Sequence, residues 1–325
     1  MKSLVFLFFL FSLHSHSQVL SEKSGLITLK EMECDKLETL LSNLVAQQNL
    51  SEVLIKQCLK KSMFKKSCEA ELNSCVPSRV KELHGVVSKT NGLSNWSAPL
   101  LFSEFSASLI AVPVEEIGFL TGSKFCLQIK NETDLKYGDW ILLRDQDKDD
   151  LGAAVWISPE LYFIYQQDKF SLKLFRSEMK GTDGTVTDYQ KYSFPFTIDK
   201  NKQTSDSVYR FEYFRCHLDA ETWSNADLRK ANASLVQVEK QIANALPIKI
   251  TLSNDDIEQI KSLIGESQAL LKAAEKIDKN LVSTDEYKFV KRRLLSTKMH
   301  LSENSKRSQS STSENYQKII DIIDK

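Results

Sequence analysis

Apolar residues recur in three successive patterns along the chain, first helical, then strand-like, then helical again. Over residues 25–45 and 53–64 they return every three or four positions, as on one face of an amphipathic helix. A shorter run over 80–87 ends before the Asn-Gly turn at residues 91–92. The first part of the chain therefore predicts an N-terminal helical hairpin with one extra helix.

The middle of the chain is typical of β structure. Eight short runs between about residues 103 and 218 are rich in β-branched and aromatic residues. They are 107–112, 124–130, 139–144, 153–158, 161–166, 170–176, 192–198 and 208–218. Turn segments separate several of these runs. Short strands with hairpin-length connections predict an antiparallel β sandwich or small barrel. Nothing resembling a crossover helix lies between them, which argues against a doubly wound sheet.

Heptad-like spacing returns after residue 221. Leu228, Ala231, Leu235, Val238 and Ile242 form one seam, and a second seam over 257–281 is interrupted at the polar residue Ser267. A third helix is predicted over 285–301. Residues 302–313 are almost wholly polar and predict a flexible linker, before a short amphipathic helix at the C-terminus.

These patterns predict an α+β fold, with a central β unit flanked by helical segments. The expected divisions are a Cys-rich helical segment over 18–92, the antiparallel β domain over 93–220, a helical hairpin or bundle over 221–301, and the linker with its short helix over 302–325. Two arrangements of the helices are possible. The N-terminal helices either complete the C-terminal bundle or form a separate subdomain.

The first 17 residues have the pattern of a secretory signal peptide. Lys2 precedes an apolar run over 4–13, and small residues follow at Ser15 and Ser17. The run is shorter than the roughly 20 residues that span a bilayer. No other apolar run approaches that length, so no transmembrane segment is expected after cleavage. The protein is predicted to be secreted or periplasmic.

All six cysteines lie beyond this segment, and an even number in an exported chain favours disulfides over buried free thiols. Cys126 and Cys216, in separate strand-like runs, are the simplest long-range pair. Four cysteines lie closer together, and Cys34–Cys68 with Cys58–Cys75 is one of the three pairings they allow. A zinc site is disfavoured because the chain has no Cys-x-x-Cys motif.

An acidic loop between two predicted strands is the one candidate metal site. Asp145, Asp147 and Asp149 stand at alternate positions, where their carboxylates could bind one calcium ion. The EF-hand pattern fails, because its glycine position has Asp150 and its glutamate position has Trp156. The alternative is a solvated acidic hairpin tip, and no other cofactor is expected.

Candidate catalytic groups are scattered. His84, His217 and His300 lie in different predicted segments, and no nucleophile or phosphate-binding motif is present. Glu115 and Glu116 adjoin a predicted strand, where neighbours face opposite sides and would not act as a pair.

Charge distribution disfavours a nucleic-acid binder, because 43 basic and 43 acidic residues balance. The third C-terminal helix carries a basic run made of Lys288, Lys291, Arg292, Arg293 and Lys298. We interpret this run as the water-facing side of the helix. The alternative is a surface that contacts anionic envelope polymers or lipid head groups.

The sequence therefore favours a non-enzymatic protein that binds an envelope component or another protein. The binding surface is expected on the β domain, where one of the aromatic sets in 161–165 or 209–214 would face outward. One alternative is an extracytoplasmic hydrolase whose carboxylates meet only in the fold. Another is a structural helical assembly protein that forms homo-oligomers through its C-terminal helices.

Overall fold

The computed structural model describes most of the chain after residue 20. The described residues are 21–23, 26–47, 53–61, 67–72, 75–86, 96–107, 112, 114–144, 150–159, 161–166, 171–176, 185–186, 209–245, 252–307 and 310–324. The predicted signal peptide over 1–17 lies outside them. Helices and antiparallel sheets are combined, as an α+β fold requires.

The N-terminal region is a small sheet packed with short helices. Its elements are β1 (Ser21–Lys23), β2 (Leu26–Glu33), α1 (Cys34–Gln47), α2 (Val53–Cys58), β3 (Leu59–Lys61), β4 (Ser67–Glu71) and α3 (Ser78–Leu83). The strands pair antiparallel in the order β1-β2-β4-β3.

The predicted helical hairpin in this region is wrong in part. Residues 26–33 form a strand that pairs with β4, and the second helix ends at Cys58, where β3 begins. Short apolar runs do not distinguish a helix from a strand, because both bury them. Hydrogen bonding to β4, a segment distant in the sequence, makes residues 26–33 a strand.

Two short helices precede the main sheet, namely α4 (Ser97–Phe102) and α5 (Val114–Thr121). The sheet contains β5 (Cys126–Ile129), β6 (Trp140–Arg144), β7 (Asp150–Ser158), β8 (Leu161–Gln166), β9 (Ser171–Arg176), β10 (Thr185–Val186) and β11 (Tyr209–Cys216). Its order is β10-β11-β6-β7-β8-β9, with β5 also pairing with β11.

This sheet is open, so the predicted sandwich or small barrel is wrong. Its described pairings run from β10 to β9 without joining the two ends. Helices pack against one face instead of a second sheet, since Trp140, Leu142 and Phe214 share a core with the C-terminal helices. A sheet needs only an apolar cover, and helices supply it as well as strands do.

The C-terminal region is a helical bundle made of α6 (Ala226–Ala245), α7 (Asn254–Ile277), α8 (Asp285–Arg307) and α9 (Ser310–Ile323). α6 packs on α7 and α8, and α9 packs on both α7 and α8. The seam residues Leu228 to Ile242 are buried within the chain. Ser267, the polar position of the second seam, donates to the carbonyl oxygens of Leu263 and Ala231, at 2.8 and 3.1 Å.

The described residues of the predicted flexible linker over 302–313 are helical instead. α8 continues to Arg307 and α9 begins at Ser310. Extending an existing helix adds one hydrogen bond per residue, so a polar segment continues a helix more easily than it starts one.

Three disulfides join elements that are distant in sequence. Cys34–Cys68 links the start of α1 to β4, Cys58–Cys75 links the end of α2 to the turn after β4, and Cys126–Cys216 joins directly paired positions of β5 and β11. These are the pairs named from the sequence, and they are consistent with an extracellular protein. No helix in the described ranges is long and apolar enough to cross a membrane.

Candidate binding groove

A cavity of about 300 Å³ opens between α5, α8 and the segment 97–107. Its floor is apolar and buried, made by Leu100, Phe105, Leu120 and Phe289. Val112, Leu295 and Met299 extend the apolar lining toward the opening. We call this cavity the groove. A concave apolar site with a few polar groups is typical of small-molecule binding sites.

Helix α8 forms one wall of the groove through a single face. Phe289, Arg292, Ser296 and Met299 follow one another at steps of three or four residues, so they line up along the helix. Leu295 lies beside them on the same side. The helical period therefore places an aromatic ring, a guanidinium, a hydroxyl and a thioether in one row.

Aromatic contacts hold Phe105 in place at the floor of the groove. Its ring meets those of Trp140 and Phe289 edge-on, with centroid distances of 5.5 and 5.7 Å. Trp140 also donates from its indole N–H to Ser103 Oγ at 2.8 Å, which holds the end of α4 against β6. The sheet core thus supports the wall of the groove directly.

A buried ion pair also lines the groove. Arg293 donates from Nε and Nη2 to the two carboxylate oxygens of Glu239, at 2.8 and 2.7 Å, and from Nη1 to Asn232 Oδ1 at 2.9 Å. The backbone N–H of Ala107 donates to Glu239 Oε2 at 2.9 Å. This network connects α6, α8 and the segment that carries Phe105, so it stabilises the shape of the groove.

A second ion pair lies at the opening. Arg292 Nε donates to Glu116 Oε2 at 2.7 Å, and Nη2 lies 3.4 Å from the carbonyl oxygen of Glu115. The guanidinium carbon sits 4.8 Å from the centre of the Phe119 ring, a cation–π distance. These contacts hold α5 against α8. We call Glu116–Arg292 the rim pair and Glu239–Arg293 the buried pair.

The charges of the groove cancel. Its lining includes two arginines and two glutamates, and each arginine is bonded to one glutamate. Carboxylates held in this way are poor candidates for general acid or base, because their lone pairs already accept from guanidinium donors. The groove can therefore surround an uncharged apolar group of a ligand, and the charged side chains of its lining are not available to react with that ligand.

One further polar contact adjoins the groove. Ser296 Oγ lies 3.2 Å from Nε2 of His300, one turn along α8. A serine hydroxyl beside a histidine can also act as a nucleophile, with the histidine as its general base. However, backbone N–H groups inside a helix are bonded to the carbonyl four residues earlier, so the turn around Ser296 provides no oxyanion hole.

The structure brings together residues that are distant in the sequence. The prediction that Glu116 adjoins a strand is wrong, because Glu116 lies in the first turn of α5. The prediction that Arg293 belongs to a water-facing surface is also wrong, because Arg293 is almost fully buried. Their partners are 176 and 54 residues away in sequence, and no local pattern links residues at such distances.

The other predicted sites have different outcomes. Asp145, Asp147 and Asp149 lie outside the described residues, and within the described part of the chain no three metal-ligating side chains cluster.

The aromatic side chains of 161–165 are buried on both faces of β8, and those of Tyr213 and Phe214 are buried as well. Phe211 is partly exposed, and the side chain of Tyr209 lies outside the described ones, so the expected outward aromatic surface on 209–214 stays a prediction.

Comparison of the chain with models of protein families, with curated proteins and with solved structures finds no match.

Proposed function

We propose that the protein is an extracytoplasmic, non-enzymatic binding protein that takes a small apolar ligand in the groove. The observation that carries this proposal is the combination of an apolar floor with charged lining residues that neutralise one another. Transfer of an apolar group from water into such a site is favourable.

The shape of the site favours a small molecule over a protein partner. A stable protein interface uses roughly 20–30 residues on each side. Leu295 and Met299, with 55% and 39% of their surface exposed, are the large exposed apolar side chains at this opening among the described residues. They suffice to cover a small ligand at the mouth of a cavity.

Binding of the uncharged fluorescent probe N-phenyl-1-naphthylamine tests the proposal on the full-length protein. We expect a saturable increase in fluorescence. Replacing Leu295 and Met299 together by asparagine should weaken binding about tenfold, since part of the apolar contact is lost.

Ile277→Asn is the matched control. Ile277 is 76% exposed at the end of α7 and does not line the groove, so this variant should bind like the wild type. The absence of saturable binding to the wild type, or an equal loss in the control, would count against the proposal.

The hydrolase predicted from the sequence uses carboxylates, and the glutamates of the groove are each bonded to an arginine. A hydrolase that uses a serine instead has one observation in its favour, the contact between Ser296 and His300. It predicts turnover of a p-nitrophenyl ester that disappears in Ser296→Ala. The binding proposal predicts that any ester hydrolysis is the same in the wild type and in Ser296→Ala. The same assay therefore separates the two functions.

A further inference from the structure

The groove has apolar residues at its floor and partly exposed polar residues at its opening. Leu100, Leu120 and Phe289 are buried, whereas Glu116, Arg292 and Ser296 are partly exposed. The buried pair also lines the groove, but its two charges are bonded to each other. A molecule with one apolar and one polar end would bury the apolar end and leave the polar end at the rim.

The rim offers hydrogen bonds without net charge. Arg292 donates from Nε to Glu116, and in the described part of the chain no atom accepts from its Nη1. The hydroxyl of Ser296 has one donor and two acceptor positions, and its contact with His300 uses one of them. A neutral polar group would find partners here.

An ionised group would meet opposing charges at the same place. A carboxylate attracted to Arg292 would lie beside Glu116, and an ammonium attracted to Glu116 would lie beside Arg292. Either group would also lose hydration at the edge of an apolar cavity, a cost that a neutral group largely avoids.

We propose that the ligand is an uncharged amphiphile, with one apolar chain or ring system and one neutral hydrogen-bonding end such as an alcohol or ester. The rim pair sets this preference. The inference rests on the proposed function and adds the class of ligand and the residues that select it.

Competition among three matched amphiphiles tests this inference. Decanol, decanoate and decylamine displace N-phenyl-1-naphthylamine from the full-length protein at about pH 7, where decanoate is ionised and decylamine is protonated. We expect the apparent affinity of decanol to be at least about tenfold higher than that of either ion.

Removing one charge of the rim pair should change the preference in a defined direction. In Glu116→Gln the guanidinium of Arg292 loses its carboxylate partner, so decanoate should gain about five- to tenfold in affinity. In Arg292→Gln the Glu116 carboxylate loses its guanidinium partner, and decylamine should gain by a similar factor.

Glu258→Gln controls for the change in net charge that Glu116→Gln makes. Glu258 pairs with Lys261 on the exposed surface of α7 and does not line the groove, so this variant should keep the wild-type order. Equal affinity for the three amphiphiles in the wild type and both rim variants would overturn the inference while leaving the proposed function intact. Failure of all three to displace a bound probe would overturn the inference, and failure of the probe itself to bind would overturn the proposed function.

Discussion

Arg292 and Arg293 are neighbours in sequence, and each pairs with a glutamate, but the two pairs differ in burial. The side chains of Arg293 and Glu239 are 2% and 5% exposed, whereas those of Arg292 and Glu116 are 38% and 19% exposed. Successive helical residues point about 100° apart, so one arginine enters the bundle and the other reaches the rim. Both pairs line the groove, but one is buried inside the fold and the other is partly exposed at the opening.

Breaking the buried pair should have the largest effect on stability. Arg293→Met leaves the Glu239 carboxylate buried without its guanidinium, and we expect a loss of about 3–5 kcal/mol in the free energy of unfolding. Urea unfolding followed by circular dichroism measures it.

The double variant Glu239→Leu with Arg293→Met is the control for this prediction. It removes both charges and should recover much of the loss, although the N–H of Ala107 then lacks its acceptor. A loss below about 1 kcal/mol in the single variant would show that the pair is not effectively buried.

A third ion pair, intermediate in exposure, sharpens the comparison. Glu286 is 1% exposed and Lys124 is 40% exposed, with 2.5 Å between Glu286 Oε1 and Lys124 Nζ. Glu286 also accepts from the backbone N–H and the hydroxyl of Ser224. Glu286→Gln should lower the free energy of unfolding by about 2 kcal/mol, between the effects at the buried and rim pairs.

The contribution of Glu286 should depend on pH. Burial raises the pKa of this carboxyl, but the hydrogen bonds from Lys124 and Ser224 outweigh burial and hold the pKa below its ordinary value. A lowered folded-state pKa gives stability above the unfolded value of about 4.3, and this stability is lost as the pH falls through the folded-state pKa.

Denaturation of the wild type and Glu286→Gln at a series of pH values from about 6 down to about 3 tests this dependence. The stability difference between the two proteins should be largest at the upper end and should shrink toward the acid end. A difference that stays constant would mean that Glu286 does not titrate as inferred.

Breaking the rim pair should have the smallest effect on stability. Arg292→Gln removes a pair whose arginine is more than one third exposed, so we expect a change of at most about 1 kcal/mol in the free energy of unfolding. The same urea titration measures it. A cost as large as that of Arg293→Met would contradict the expected difference in stability between the buried pair and the rim pair.

Part of the fold was accessible from the sequence. The strand-like runs around β6, β7, β8 and β11 carry β-branched and aromatic residues on both faces, and these segments form neighbouring strands. The seam of α6 was visible because its burial follows one helical period. The N-terminal region was misassigned because the apolar run of β2 has no periodicity that excludes a helix.

The candidate groove was not accessible from the sequence. Helical spacing places Arg292 and Arg293 on different faces of α8, but it does not identify the elements that those faces meet. Glu116 looked like part of a strand terminus, and Glu239 was one polar residue among several on α6. Only docking of α5 and α6 against α8 turns these four residues into two ion pairs.

Local patterns specify the alternation of helical and strand-rich regions and the apolar seams of the bundle, and composition gives the number of cysteines available for disulfides. Contacts between distant segments make the sheet open, make the N-terminal run a strand and give two adjacent arginines different burial. Those outcomes depend on contacts between segments up to 176 residues apart, and the free energy of such contacts is not encoded in any local pattern.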